Sequence, residues 1–62
     1  MSAKLPSPPA SKITHDFKNQ LGIILGFSEL LLADMADDDL RKPDIAEIRR
    51  AALIALQLVE RI

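Results

Sequence analysis

The sequence predicts an all-α fold, an antiparallel two-helix hairpin that homodimerises into a four-helix bundle. Apolar residues recur at spacings of three and four in two separate segments, as on the buried face of a helix. A short turn rich in aspartate separates the segments. Leucine, isoleucine and alanine dominate a composition that is 48% hydrophobic but only 3% aromatic, which favours helical packing over a β-sandwich.

A chain this short needs a source of stability in addition to its own hydrophobic core. A domain of about 60 residues buries only about 60% of the surface that its unfolded chain exposes, which leaves it marginally stable. The chain of 62 residues has no cysteine and a single histidine. Disulfides and thiolate zinc sites are therefore excluded, and a partner subunit is the best remaining supplement.

The first predicted helix carries a wide apolar stripe and follows a proline-rich segment. Residues 1–10 are expected to form a flexible head, and residues 11–62 the hairpin domain. The helix begins either with Ser7 as N-cap and Pro8 in the first turn, or at Ser11, because Pro9 disfavours a helical Pro8. The stripe comprises Ala10, Ile13, Phe17, Leu21, Ile24, Leu31 and Met35, widened by Leu25, Leu30 and Leu32.

The second predicted helix follows a turn that contains three consecutive aspartates, Asp37 to Asp39. One of these is expected to cap the helix rather than bind a metal, and Pro43 to lie in or near its first turn. Its apolar stripe comprises Ile45, Ile48, Ala52, Ala55, Leu56, Val59 and Ile62. Four basic residues are either a solvated face or a surface for a partner: Arg41, Lys42, Arg49 and Arg50.

Each stripe is wider than one neighbouring helix can cover, so two hairpins are expected to pair as a homodimer. The charge pattern favours neither nucleic acid nor an anionic membrane as a partner. A formal net charge of −1 with scattered basic residues predicts no contact with nucleic acid or an anionic membrane. The longest apolar run, residues 21–27, is far shorter than the ~20 residues of a membrane span, and no signal peptide is evident. We expect a soluble cytoplasmic protein.

His15 lies on a polar or small face of the first helix, outside the apolar stripe. By spacing, this face also holds Lys18, Asn19, Gly22 and Gly26. His15 is either a solvated surface residue or a nucleophile, since a nearby carboxylate such as Asp16 can fix the tautomer of a histidine and stabilise its charged form. Asp16 may equally serve only as an anion in the first helical turn, and Asn19 as a solvated residue.

The two glycines are costly in a helix interior, by about 1 kcal/mol each relative to alanine. Close approach of another surface to Gly22 and Gly26 would explain them. That surface is either another helix of the same bundle or a partner that must come near His15.

The stretch "HDFKNQLGIILGFSELLL" resembles the H-box of the dimerisation and histidine phosphoacceptor domain, the HisKA type, of bacterial sensor histidine kinases. The resemblance extends over residues 13–62 and includes the histidine–acid pair, the asparagine four residues later, and a second helix of "DIAEIRRAALIALQLVERI" type. It implies a four-helix homodimer, in agreement with the stripes.

The resemblance also implies roles for individual residues. His15 corresponds to the histidine that a separate ATP-binding domain phosphorylates and that passes the phosphoryl group to an aspartate of a response-regulator receiver. Asp16 corresponds to the acid that assists transfer, and Asn19 to the residue that positions water when such proteins dephosphorylate a receiver. The receiver supplies Mg²⁺, so this chain is expected to bind no metal or cofactor itself.

Two features depart from the family. Prolines interrupt the chain shortly before His15, where the family usually has a long signalling helix, and no segment that could hold ATP follows the hairpin. The chain by itself is therefore not expected to be a kinase. Its initiating methionine and proline-rich head favour a stand-alone protein over a piece of a kinase.

Three functions are consistent with these features. The first is a phosphotransfer module in which His15 exchanges a phosphoryl group with a receiver aspartate or with a kinase ATP-binding domain acting in trans. The second is a non-catalytic protein that docks on a receiver or kinase and sequesters or inhibits it, through Lys18, Gly22 and Gly26. The third is assisted dephosphorylation of a receiver, which depends on Asn19.

Overall fold

The computed structural model describes residues 10–61, which form a hairpin of two α-helices. Helix α1 comprises Ala10–Asp34 and helix α2 comprises Lys42–Glu60. Lys18 near the start of α1 contacts Glu60 at the end of α2, so the helices run antiparallel. Within the described residues there is no strand, and the predicted all-α hairpin is confirmed.

The start of α1 excludes one of the two predicted N-caps. Ala10 is already helical, and the Thr14 hydroxyl donates a hydrogen bond to the Ala10 carbonyl at 2.9 Å. Ser11 therefore lies inside the helix and is not its N-cap. The predicted flexible head comprised residues 1–10, but Ala10 is helical. The alternative cap at Ser7 and residues 1–9 of the head lie outside the described residues.

Asp39 stabilises the turn between the helices, but it is not the N-cap of α2. Asp39 accepts hydrogen bonds from the Arg41 backbone N–H at 2.9 Å and from the Arg41 guanidinium at 3.1 and 2.8 Å. The N-cap of α2 is Arg41, whose side chain makes no capping bond. The expectation of an aspartate cap is wrong because Asp39 pairs with Arg41 two residues further on. Pro43 lies in the first turn, as predicted.

The pairing with Arg41 lowers the pKa of Asp39 from 3.8 to about 2, mainly through the side-chain hydrogen bonds. A carboxylate with a lowered pKa stabilises the fold above its unfolded pKa, and this contribution is lost as the pH falls through the folded value. We expect Asp39→Asn to unfold at a lower temperature than the wild type at pH 7, and the difference to vanish near pH 2. Thermal unfolding followed by circular dichroism across pH 2–7 measures this.

The control is Asp38→Asn, which removes the same charge from the same turn. Among the described residues no side-chain hydrogen bond to Asp38 is formed, so this change should be nearly neutral at pH 7. Equal destabilisation by the two substitutions would contradict a specific role of the Asp39–Arg41 pair.

The core between the helices is small. Among residues 10–61, Leu21, Ala52 and Val59 are the buried hydrophobic residues, and Ser28 is buried beside them. The Ser28 hydroxyl donates a hydrogen bond of 2.7 Å to the Leu25 carbonyl, which satisfies this polar group in the helix interface. In the sequence, Ser28 interrupts the apolar run of the first helix. In the structure it is buried, and its small side chain allows the two helices to pack.

Helix α2 covers only one side of the apolar stripe on α1. The side that it covers includes the half-buried Leu25 and Leu32. Large apolar residues on the remainder of the stripe are between 46% and 65% exposed: Ile13, Phe17, Ile24, Leu30 and Leu31. For α1, the prediction that the stripe is wider than one neighbour can cover is therefore confirmed.

Neither helix of residues 10–61 combines the length and the apolar character that crossing a bilayer requires.

Candidate functional site

His15 lies on the exposed surface of α1, where 73% of its side chain is accessible to solvent. Asn19 follows one turn later, and Gly22 and Gly26 continue along the same face, all exposed. Because neighbouring residues differ by about 100° around the axis, this face points away from the exposed apolar residues Phe17, Ile24 and Leu31 on the opposite side of α1. The sequence-predicted site residues therefore share one accessible face.

The histidine and the carboxylate beside it are close but not tightly paired. The Nδ1 atom of His15 lies 3.6 Å from Asp16 Oδ1, beyond the length of a direct hydrogen bond. Asp16 Oδ2 accepts a hydrogen bond from Lys12 Nζ at 2.9 Å. This bond is the main cause that lowers the pKa of Asp16, and His15 contributes less. Asp16 is thus an anion near neutral pH that faces Nδ1, and among the described residues Nε2 makes no hydrogen bond.

A charged edge of the hairpin lies next to the His15 face. Lys18 Nζ is 3.5 Å from Glu60 Oε1, and Arg49 Nε is 3.3 Å from Glu29 Oε2, so two ion pairs join the helices along this edge. Lys18, expected to contact a partner protein, thus also contacts α2. Exposed pairs of this kind contribute about 0–1 kcal/mol each, and they orient the helices more than they stabilise them.

The four basic residues of uncertain role all contact carboxylates. Arg49 pairs with Glu29 across the helices, and the other three pair within their own segment: Arg41 with Asp39, Lys42 with Asp37, and Arg50 with Glu47. Internal ion pairs therefore account for these side chains without a partner.

Gly22 and Gly26 face open space. Among residues 10–61, an added Cβ atom at either position would meet no atom within 4 Å outside the local helix. Helix α2 therefore does not approach the two glycines, because it packs on a different side of α1, and the approach of a helix from a second copy or of a partner protein stays a prediction. The cost of the two glycines is not offset by packing inside the hairpin.

We expect Gly22→Ala and Gly26→Ala each to stabilise the protein by about 1 kcal/mol, since alanine lowers the entropic cost of helix formation and meets no obstacle. For a domain of this size the unfolding temperature should rise by about 4–8 °C per substitution. Thermal unfolding at fixed protein concentration measures the change.

Ala51→Gly provides the converse control, because Ala51 is exposed in the middle of α2. It should destabilise the protein by a similar amount. If Gly22→Ala and Gly26→Ala instead lower the unfolding temperature, the glycines serve packing that the hairpin alone does not contain.

A shallow depression of about 440 Å³ adjoins His15. It is lined by Ala10, Ser11, Thr14, His15 and Lys18. Sequence reasoning did not single out Ser11 and Thr14 for this site, although both lie within one turn of His15. It also missed Glu60, because only the packing of α2 against α1 brings Glu60 to Lys18.

No group of three or more His, Asp or Glu side chains in residues 10–61 is arranged to hold a metal ion. In the turn, Asp39 pairs with Arg41 and Asp37 with Lys42, while Asp38 is exposed.

Comparison of the chain with protein-family models, with curated proteins and with solved structures finds no match.

Proposed function

We propose that this protein is a histidine phosphoacceptor module of a two-component signalling pathway, in which His15 exchanges a phosphoryl group with a receiver aspartate. The observation that carries the proposal is the exposed imidazole with Nδ1 3.6 Å from the Asp16 carboxylate. A histidine nucleophile needs a free ring nitrogen, an acid near the other nitrogen, and room for the partner. His15 meets all three needs.

The transfer step follows from this arrangement. Nε2 of neutral His15 attacks the phosphorus of the aspartyl phosphate, a P–N bond forms, and the P–O bond breaks so that the receiver aspartate leaves as a carboxylate. The imidazole becomes positively charged, and Asp16 stabilises that charge from the side of Nδ1. Positioning supplies most of the catalysis, and Mg²⁺ held by the receiver neutralises the charge of the phosphoryl oxygens.

The proposal includes a homodimer. Among the described residues the core contains only Leu21, Ala52 and Val59 as buried hydrophobic residues, which is little for an independently stable domain. Exposed apolar residues flank this core on the side opposite Lys18 and Glu29, so a second hairpin can cover them without touching His15. Full burial of each large side chain contributes about 1.5–3 kcal/mol. A second copy is thus a suitable occupant of this surface.

The test mixes the protein with a receiver domain phosphorylated with ³²P and follows the label on both proteins. Acid-labile label on the small protein supports phosphotransfer. Loss of label from the receiver without label on the small protein favours assisted dephosphorylation, which Asn19→Ala should then abolish. A kinase ATP-binding domain with labelled ATP is the alternative donor to supply in trans.

A docking protein that sequesters a receiver or kinase is the second candidate function. The open space at Gly22 and Gly26 favours it, because two costly glycines that contact no other element among residues 10–61 suit the close approach of a partner. Under this alternative, Gly22→Leu abolishes binding to the receiver, whereas His15→Ala leaves binding intact and no label moves in any experiment.

A further inference from the structure

Lys18 contacts Glu60 through an ion pair that is easily replaced. The Lys18 Nζ to Glu60 Oε1 distance of 3.5 Å exceeds the 2.7–2.9 Å of a charge-assisted hydrogen bond, and both side chains are about half exposed. Such a pair is weak and is screened by solvent. A stronger anion near Lys18 would therefore displace Glu60.

The depression beside His15 is where such an anion would sit. Beside His15, Lys18 is the cationic residue of its lining, and Ser11 and Thr14 contribute hydroxyl groups to the same lining. His15 and Lys18 are three residues apart, so their Cβ atoms lie about 5–6 Å from each other and a lysine side chain spans this gap.

We propose that Lys18 exchanges Glu60 for the phosphoryl group when His15 is phosphorylated, which breaks the ion pair between the last turn of α2 and α1 and loosens that end of α2. The inference rests on the proposed function in one respect, namely that His15 carries a phosphoryl group. A phosphoryl group has a charge of about −1.5 to −2 and three acceptor oxygens, against one charge on the carboxylate. It also repels Glu60, which adds to the release.

Lys12 provides an internal comparison on the other side of His15. It is also three residues away, but its Nζ donates a hydrogen bond of 2.9 Å to Asp16 and it does not line the depression. The Lys12 ammonium group is thus held at Asp16 by a shorter contact, outside the depression beside His15. The exchange is therefore specific to Lys18.

Phosphoramidate tests the exchange without any receiver. The imidazole nitrogen of His15 attacks phosphorus, the P–N bond of phosphoramidate breaks, and the amino group leaves as ammonia with the imidazole proton. The ¹H–¹⁵N NMR spectrum and amide hydrogen exchange of residues 58–61 are recorded before and after this reaction. The same measurements are made on Lys18→Gln and on the matched control Lys12→Gln.

In the wild type and in Lys12→Gln, phosphorylation should shift the amide signals of Val59, Glu60 and Arg61 and raise their exchange rates about twofold to fivefold, as expected for loss of an exposed ion pair. In Lys18→Gln the rates should already be raised, and phosphorylation should leave them unchanged. Unmoved Glu60 signals in the phosphorylated wild type, or equal responses in the two variants, would overturn the exchange.

The two proposals fail separately. A receiver that never transfers its label to His15 contradicts the proposed function but not the response to phosphoramidate. Transfer from the receiver with no change at Glu60 contradicts only the exchange of partners by Lys18.

Discussion

Replacing Ile24 with aspartate is expected to dissociate the homodimer, with a dissociation constant at least about 100-fold higher than that of the wild type. Ile24 is 46% exposed in the hairpin and flanks the buried line of Leu21 and Ser28 on the side away from the ion pairs. In the proposed bundle it is covered by the second copy. Each dimer would then bury two unpaired charges, because both protomers carry the substitution.

Ile23→Asp is a closely matched control. Ile23 is the adjacent residue, has the same side chain and is similarly exposed, at 52%. It lies about 100° further round the helix, on the far side of α1 from α2. Sedimentation equilibrium of the two variants compares the surfaces directly. Dissociation by Ile23→Asp and not by Ile24→Asp would place the interface elsewhere, and a wild-type monomer would contradict the dimer itself.

Dissociation should also reduce stability. The hairpin buries few hydrophobic residues by itself, so a monomer is expected to be marginal and the unfolding temperature of the wild type to rise with protein concentration. For Ile24→Asp this dependence should be lost. Circular dichroism over a hundredfold range of concentration measures it.

Replacing His15 with alanine is expected to abolish transfer of label from a phosphorylated receiver, because no other residue supplies the attacking nitrogen. The loss should exceed about 1,000-fold in rate, while helix content and dimerisation stay unchanged. The reason is the exposure of the side chain, of which 73% contacts solvent and which contributes nothing to the core. Filter assays of acid-labile label and sedimentation measure the two properties.

Asp16→Asn separates the role of the carboxylate from that of the nucleophile. It leaves His15 in place and removes the charge near Nδ1, so transfer should slow by about 10- to 100-fold rather than stop. This is at or below the low end of the roughly 100- to 10,000-fold typical of acid–base and electrostatic assistance, because the Asp16 carboxylate is exposed and 3.6 Å from Nδ1. Lys12 would then lose its partner, and Lys12→Gln controls for this effect. If Lys12→Gln slows transfer as much as Asp16→Asn does, the Asp16 carboxylate has no role of its own in the mechanism. If His15→Ala transfers label as fast as the wild type, the phosphoacceptor proposal itself is contradicted.

The accessible face of α1 was predictable because helical spacing alone groups His15 with Asn19, Gly22 and Gly26. The nearness of Asp16 to Nδ1 was predicted only as a possibility, since adjacent residues diverge by about 100° and the side-chain rotamers decide the distance. The contact of Lys18 with Glu60 was not predictable from spacing. The two residues are 42 positions apart in the sequence, and only the packing of the helices brings them together.

Local sequence determined the two helices, the position of the turn and the antiparallel hairpin, because apolar periodicity and proline placement act within a few residues. The tertiary structure alone decided which side of the wide stripe on α1 faces α2. Leu21, Leu25 and Ser28 line that side, and Phe17 and Ile24 do not. Many rotations of an amphipathic helix satisfy the same pattern, and the close packing permitted by the small Ser28 and Ala52, with ion pairs along one edge, selects among them.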